Sequence, residues 1–218
     1  MHVDSSPSAE RVSEVVALEN VTKVYDTRPR VVYALRNVSL VVREGVFLAV
    51  MGEGSPGKTT LLKCLSGEIQ PSSGVVRRGP GSGDGSRPLV SWVPEPGGAG
   101  SVAAAVALGP RLLLADEASE ESCVALRQAV LGHGVAAVMS TSAPAVAACA
   151  DAVVFLRDGG VVDMVAGAGP EVISDCLERS GRSCPDPGRD YVDPGRDCTD
   201  PGQDCADLSP GCADPSPS

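Results

Sequence analysis

A chain of 218 residues with 43% hydrophobic content is long enough for one domain with a substantial core, and at 3% aromatic content that core must be aliphatic. The formal net charge of −10 argues against nucleic acid or an anionic membrane surface as the main partner, because both reward a basic footprint. No apolar run reaches the roughly eighteen residues that cross a bilayer, and MHVDSSPSAERVSE lacks the cationic start and apolar stretch of a signal peptide, so a cytoplasmic chain without direct membrane insertion is expected.

Composition divides the chain into a loose polar N-terminus (1–14), an α/β region (15–180) and a tail (181–218). The first two predicted strands, VVALENVTKVY (15–25) and VVYALRNVSLVV (31–42), alternate in polarity as the strands of an antiparallel edge sheet do. VFLAVMG (46–52), PLVSWV (88–93), RLLLAD (111–116), VAAVMST (135–141) and AVVFLRDGGVV (152–162) follow as further strands. Runs such as FLAVM and LLLAD are apolar without alternation, as expected of parallel strands covered on both faces. Helices are predicted after Gly57 and over 99–108, 119–131, 144–150 and 168–178. Cys64, Cys123, Cys149 and Cys176 sit in apolar segments and read as small buried thiols.

The tail repeats every seven residues, CPDPGRD from Cys184, YVDPGRD from Tyr191 and CTDPGQD from Cys198, then decays. Pro-Gly in these units forbids a continuous helix, so the expectation is a solvated, disordered, low-complexity extension. With eight Asp against three Arg it holds half of the formal charge.

Chemistry concentrates in two places. Gly52-Glu53-Gly54-Ser55-Pro56-Gly57-Lys58-Thr59 fits the phosphate-binding pattern Gly-x-x-x-x-Gly-Lys-Thr, and it lies between a buried strand and the helix beginning Thr59-Thr60-Leu61-Leu62. In such a loop backbone N–H groups and the helix N-terminus face phosphates, Lys58 sits on β/γ oxygens and the Thr59 hydroxyl ligates Mg²⁺. Pro56 has no N–H to offer, a loss worth about ten- to a hundredfold in affinity. The Glu53 carboxylate must point away from the anion. The second place is RLLLADE (111–117), where Asp116 is the candidate for Mg²⁺ and Glu117 the candidate to polarise an attacking water.

ALENVTKVYDT, ALRNVSLVVREGVFLAVMG, KTTLLKCLSGEIQPSSG, RLLLADE and AVVFLRDGGVVD together resemble the ATP-binding subunit of ABC transporters, particularly the branch exporting lipoproteins and macrolides. The likeness covers residues 16 to about 165. It implies a P-loop NTPase (RecA-like) core with a mainly parallel sheet, ATP and Mg²⁺ as cofactors, and Tyr25 stacking on adenine; a plain strand-end tyrosine is the alternative. As partners it implies a membrane-spanning transporter subunit and a second ATP-binding subunit, hence a position at the inner face of the membrane.

Other family features are not found. Only residues 94–110 separate Val93 from Arg111, too few for the family's helical subdomain with its glutamine loop and LSGGQ signature. Ser142 stands where the family has its switch histidine, and His133 reads as a loop residue upstream. The expected protein is therefore a degenerate ATP-binding subunit that binds Mg-ATP weakly and hydrolyses it slowly or not at all. The alternative is a non-enzymatic regulatory or vestigial P-loop module acting through its acidic tail. A small P-loop kinase ranks third, since Arg77 and Arg78, in a strand-like run, are the one pair available for a lid.

Overall fold

The computed structural model describes residues 13–28, 30–52, 57–79, 88–94 and 97–181. The chain divides into two units, 1–183 and 184–218, and the described residues belong to the first. The repeat tail, with its expected disorder, and nearly all of the expected loose N-terminus lie outside the described residues.

Two long strands, β1 (Glu14–Thr27) and β2 (Arg30–Arg43), pair antiparallel, and β4 (Ser73–Arg78) adds to the far side of β1 to give the order β2-β1-β4. The burial of β2 alternates from Asn37 onward, so the polarity pattern of that stretch is the pattern of a half-covered sheet. β4 was not among the predicted strands. Its residues are mostly exposed, so no apolar face announces it.

The second sheet has six strands, ordered β5-β6-β7-β3-β8-β9: β5 (Val90–Trp92), β6 (Leu112–Ala115), β7 (Ala136–Ser140), β3 (Phe47–Met51), β8 (Ala152–Arg157) and β9 (Gly160–Ala166). All neighbours are parallel except β9, which pairs antiparallel with β8. The single strand predicted over 152–162 is thus a hairpin. Arg157 pairs with Gly160 across a two-residue Asp158-Gly159 turn, both at positive φ, the geometry that Asp-Gly favours in tight hairpins.

Successive residues of the central strand point to opposite faces, and both faces are filled. Phe47, Ala49 and Met51 join a core with Leu113, Met139, Phe155 and the inner faces of α2 (Ala99–Ala107), α3 (Glu120–His133), α4 (Pro144–Ala147) and α5 (Pro170–Gly181). Leu48 and Val50 join a second core with Leu112, Leu114, Val138 and Leu156, capped by α1 (Gly57–Ser66) and by Val16, Leu18 and Leu35 of the antiparallel sheet. This two-sided burial is why FLAVM and LLLA carry no polar alternation.

α3 begins at an N-cap, Ser119, whose hydroxyl accepts the Ser122 N–H, and it ends at Gly134 in the left-handed conformation. His133 is the last residue of that helix, not a loop residue. Cys123 on α3 and Cys149 beyond α4 are joined by a disulfide, because the two helices pack on the same core; the expectation of two separate thiols is corrected. Cys64 and Cys176 are buried and free.

Candidate functional site

The parallel strands bring their C-terminal ends to one edge. Val50 is in register with Ser140, and Ala115 with Met139, so the residues following β3, β6 and β7 emerge side by side. In open α/β sheets this edge is where ligands bind.

From β3 the chain passes into Gly52. A Cβ there would lie 2.3 Å from the Leu156 carbonyl oxygen, so no other residue fits without moving backbone. Glu53, Gly54, Ser55 and Pro56 lie outside the described residues, and the chain is described again from Gly57, where α1 starts. Lys58 is nearly buried; its ammonium donates to the Gly52 carbonyl (2.9 Å) and lies 3.6 Å from the Glu117 carboxylate. The Thr59 hydroxyl donates to Asp116 Oδ2 at 2.7 Å, bridging residues 57 apart in sequence. Thr60 is buried behind them, with the Tyr25 hydroxyl 3.5 Å from its Oγ1.

Tyr25 is thus at the site, carried there by β1 and flanked by the Lys23 ammonium, 5.3 Å from the ring centroid. Glu117 adopts φ 55°, unusual for a side chain of its size, and its carboxylate is more than half exposed. Sequence reasoning passed over Ser140, the polar end of β7. Its hydroxyl donates to Asp116 Oδ1 (2.6 Å) and accepts the Glu117 N–H (2.7 Å), and its carbonyl accepts the Ala118 N–H (2.9 Å). The signal available was a serine closing an apolar parallel strand beside the strand that ends in Asp116.

The donor set formed by Thr59 and Asp116 is all oxygen, which suits magnesium, a hard ion that keeps waters and phosphate oxygens in its shell. Among the described residues there is no group of three or more His, Cys, Asp and Glu of the kind that cages a metal by itself. Arg77 and Arg78 do not form a lid: Arg77 pairs with Glu19, and Arg78 donates to the Cys64 carbonyl. Ser142 is exposed just past β7. The loop from β5 reaches α2 through Gly97, whose carbonyl accepts from both Ser119 Oγ (3.2 Å) and Ser122 Oγ (2.6 Å).

The family model described as ABC transporter matches residues 35–87, from within β2 through the phosphate loop, α1 and β4. A bicarbonate transport ATP-binding protein, CmpD, of Synechocystis is 40% identical over 75 residues, 34% of this chain and 27% of that protein. An uncharacterized ABC transporter ATP-binding protein of Methanocaldococcus jannaschii, MJ0796, is 39% identical over 62 residues, 28% of this chain and 26% of that one. The matched stretch spans about a quarter of these relatives. The dimeric structure of the MJ0796 cassette superposes with a TM-score of 0.60 at 20% identity, covering 71% of this chain and 100% of that one.

Over that stretch the chain is similar to ABC transporter ATP-binding proteins, and its fold is that of a solved ABC cassette. A post-hydrolysis state of the same MJ0796 cassette, bound to ADP and Pi, has a TM-score of 0.59 and the same coverage. Among the described residues the connection from β5 to β6 carries a nine-residue helix, α2, which packs on α3. No helix among the described residues is long and apolar enough to cross a membrane.

Proposed function

We propose that the site binds ATP with magnesium at the C-terminal edge of the six-stranded sheet. The observation that carries this reading is the Thr59–Asp116 hydrogen bond, which joins the end of the phosphate loop to the end of the acidic strand. Thr59 and Asp116 are the residues that would hold the metal, whose chemistry is to neutralise charge on the phosphate oxygens. Lys58 serves the same phosphates once it leaves the Gly52 carbonyl and Glu117. Amides of Gly57 and of Gly52 to Ser55, with the α1 N-terminus, supply the neutral donors; Thr60 and Tyr25 flank them, and Pro56 contributes none. Glu117 polarises the water.

Hydrolysis on this reading is slow. Ser142 offers no imidazole to the transferred phosphate, and loss of one preorganised group of that kind costs about 10²–10³ in rate. Similar proteins include transport ATP-binding proteins and one solved cassette is dimeric, which supports a membrane-spanning subunit and a second ATP-binding subunit as partners. Coupling to transport needs a partner that brings an intact signature.

Thermal melting with and without Mg-ATP, repeated on Lys58→Ala, tests the site. Ligand at a hundred times its dissociation constant adds about 2.7 kcal/mol, and a domain of this size gains about 2–4 °C per kcal/mol. The parent should shift upward and the variant should not. Equal behaviour of the two proteins sinks the proposal and leaves a module acting through the acidic tail.

A further inference from the structure

We propose that Ser140 is a positioning residue of this site, one that sets its response to magnesium rather than its grip on the nucleotide. The inference rests on the ATP reading and extends it to a residue outside both motifs.

A hydroxyl has one proton to give, and Ser140 gives it to Asp116 Oδ1 while taking the Glu117 N–H on a lone pair. The other Asp116 oxygen takes the Thr59 proton. A carboxylate anchored through one oxygen can still turn about its last torsion, which is a broad one. Anchored through both, its plane is fixed. One serine therefore orients the carboxylate proposed to meet the metal and holds the backbone of the next residue, Glu117, at its positive φ.

Ser140 has no exposed surface, so bulk water cannot replace its hydroxyl without a cavity opening. Its place is set by the fold. Val50 on one side and the β6 strand on the other hold β7 in parallel register, and the Ala118 N–H and Thr141 N–H bond to the Ser140 and Val50 carbonyls. The hydroxyl can reach Asp116 because β6 and β7 end level with each other.

The experiment measures ATP binding by calorimetry with excess magnesium and again with chelator, on the parent, Ser140→Ala, Ser140→Thr and Asp116→Asn. In the parent, magnesium should tighten binding. Ser140→Ala should keep the magnesium-free affinity within about twofold and lose roughly tenfold of the magnesium-dependent gain, the scale of one hydrogen bond to a charged group. Ser140→Thr, which keeps the hydroxyl, should restore the gain. Adding Ser140→Ala to Asp116→Asn should cost nothing further, because the two act as a unit. Parental magnesium dependence in Ser140→Ala overturns the inference while leaving the ATP site intact. An equal loss with and without magnesium overturns it too, by showing a merely structural serine. A parent that binds no ATP under either condition overturns the site reading and this inference together.

Discussion

Cys64 has its thiol in the second core and its carbonyl bonded to Arg78. Burial pushes that thiol above its ordinary range, with Lys23 and Arg78 drawing it partly back. Little thiolate and no access make it a poor nucleophile. Site-resolved alkylation of the native protein at pH 8 should leave Cys64 unmodified until denaturant is added; labelling within minutes in buffer would contradict the packing. The sign for stability follows from the same shift. The unfolded thiol loses its proton first, so the contribution is complete below the unfolded value and is lost as pH rises toward the folded one. Gly52 is a second sharp case: alanine there drives a Cβ against the Leu156 carbonyl. We expect Gly52→Ala to cost about 1–3 kcal/mol in urea unfolding and to abolish the Mg-ATP shift, whereas an unchanged midpoint would mean that Gly52 does not sit against the Leu156 carbonyl. Lys58, Thr59 and Asp116 were legible in the sequence because short motifs fix their types and order. Ser140 was not, because its meaning comes from strand register, which no local pattern encodes.

At the scale of elements, the N-terminus of α3 ties the strand-end loops together. Ser119 caps the helix through the Ser122 N–H, both hydroxyls donate to the Gly97 carbonyl, and Glu121 accepts the Ala99 N–H at 3.4 Å. Ser119→Ala should therefore lower unfolding stability by about 1 kcal/mol, the usual loss for a cap. A change below about 0.3 kcal/mol in denaturant melts would show that Ser122 alone suffices. The buried strands were readable because two-sided covering forces continuous apolar runs, as in FLAVM and LLLA. β4 showed only as a strand-like run at Arg77 and Arg78, because it exposes most of its side chains and gains its place by pairing with β1. The β8–β9 hairpin escaped because its two strands were read as one apolar run, although the Asp-Gly turn was in plain view.

On the scale of the whole molecule, the question is whether the thin edge of the parallel sheet folds with the rest. β5 has three residues and, among the described residues, pairs on one side only, with β6, a slight ladder for an edge strand. Yet its C-terminal end reaches both cores: Trp92, its last residue, packs on the cluster containing Leu112 and Leu114, while Val93 just beyond lies in the one containing Phe47 and Phe155. Apolar contact on both faces should outweigh the short ladder, since burying a large side chain contributes about 1.5–3 kcal/mol and a single ladder bond about 1. Trp92 is the one tryptophan, so its fluorescence reports this edge by itself. Unfolding followed in urea by Trp92 emission and by far-ultraviolet circular dichroism should give one midpoint and one slope, the mark of a single cooperative unit. An earlier fluorescence transition would instead make β5 and α2 a separately opening unit, with the loop through Gly97 detaching before the nucleotide edge does. The Mg-ATP shift then separates the two outcomes a second time. In a single unit, ligand moves both probes together; in a divided molecule it moves the circular dichroism transition and leaves the tryptophan behind.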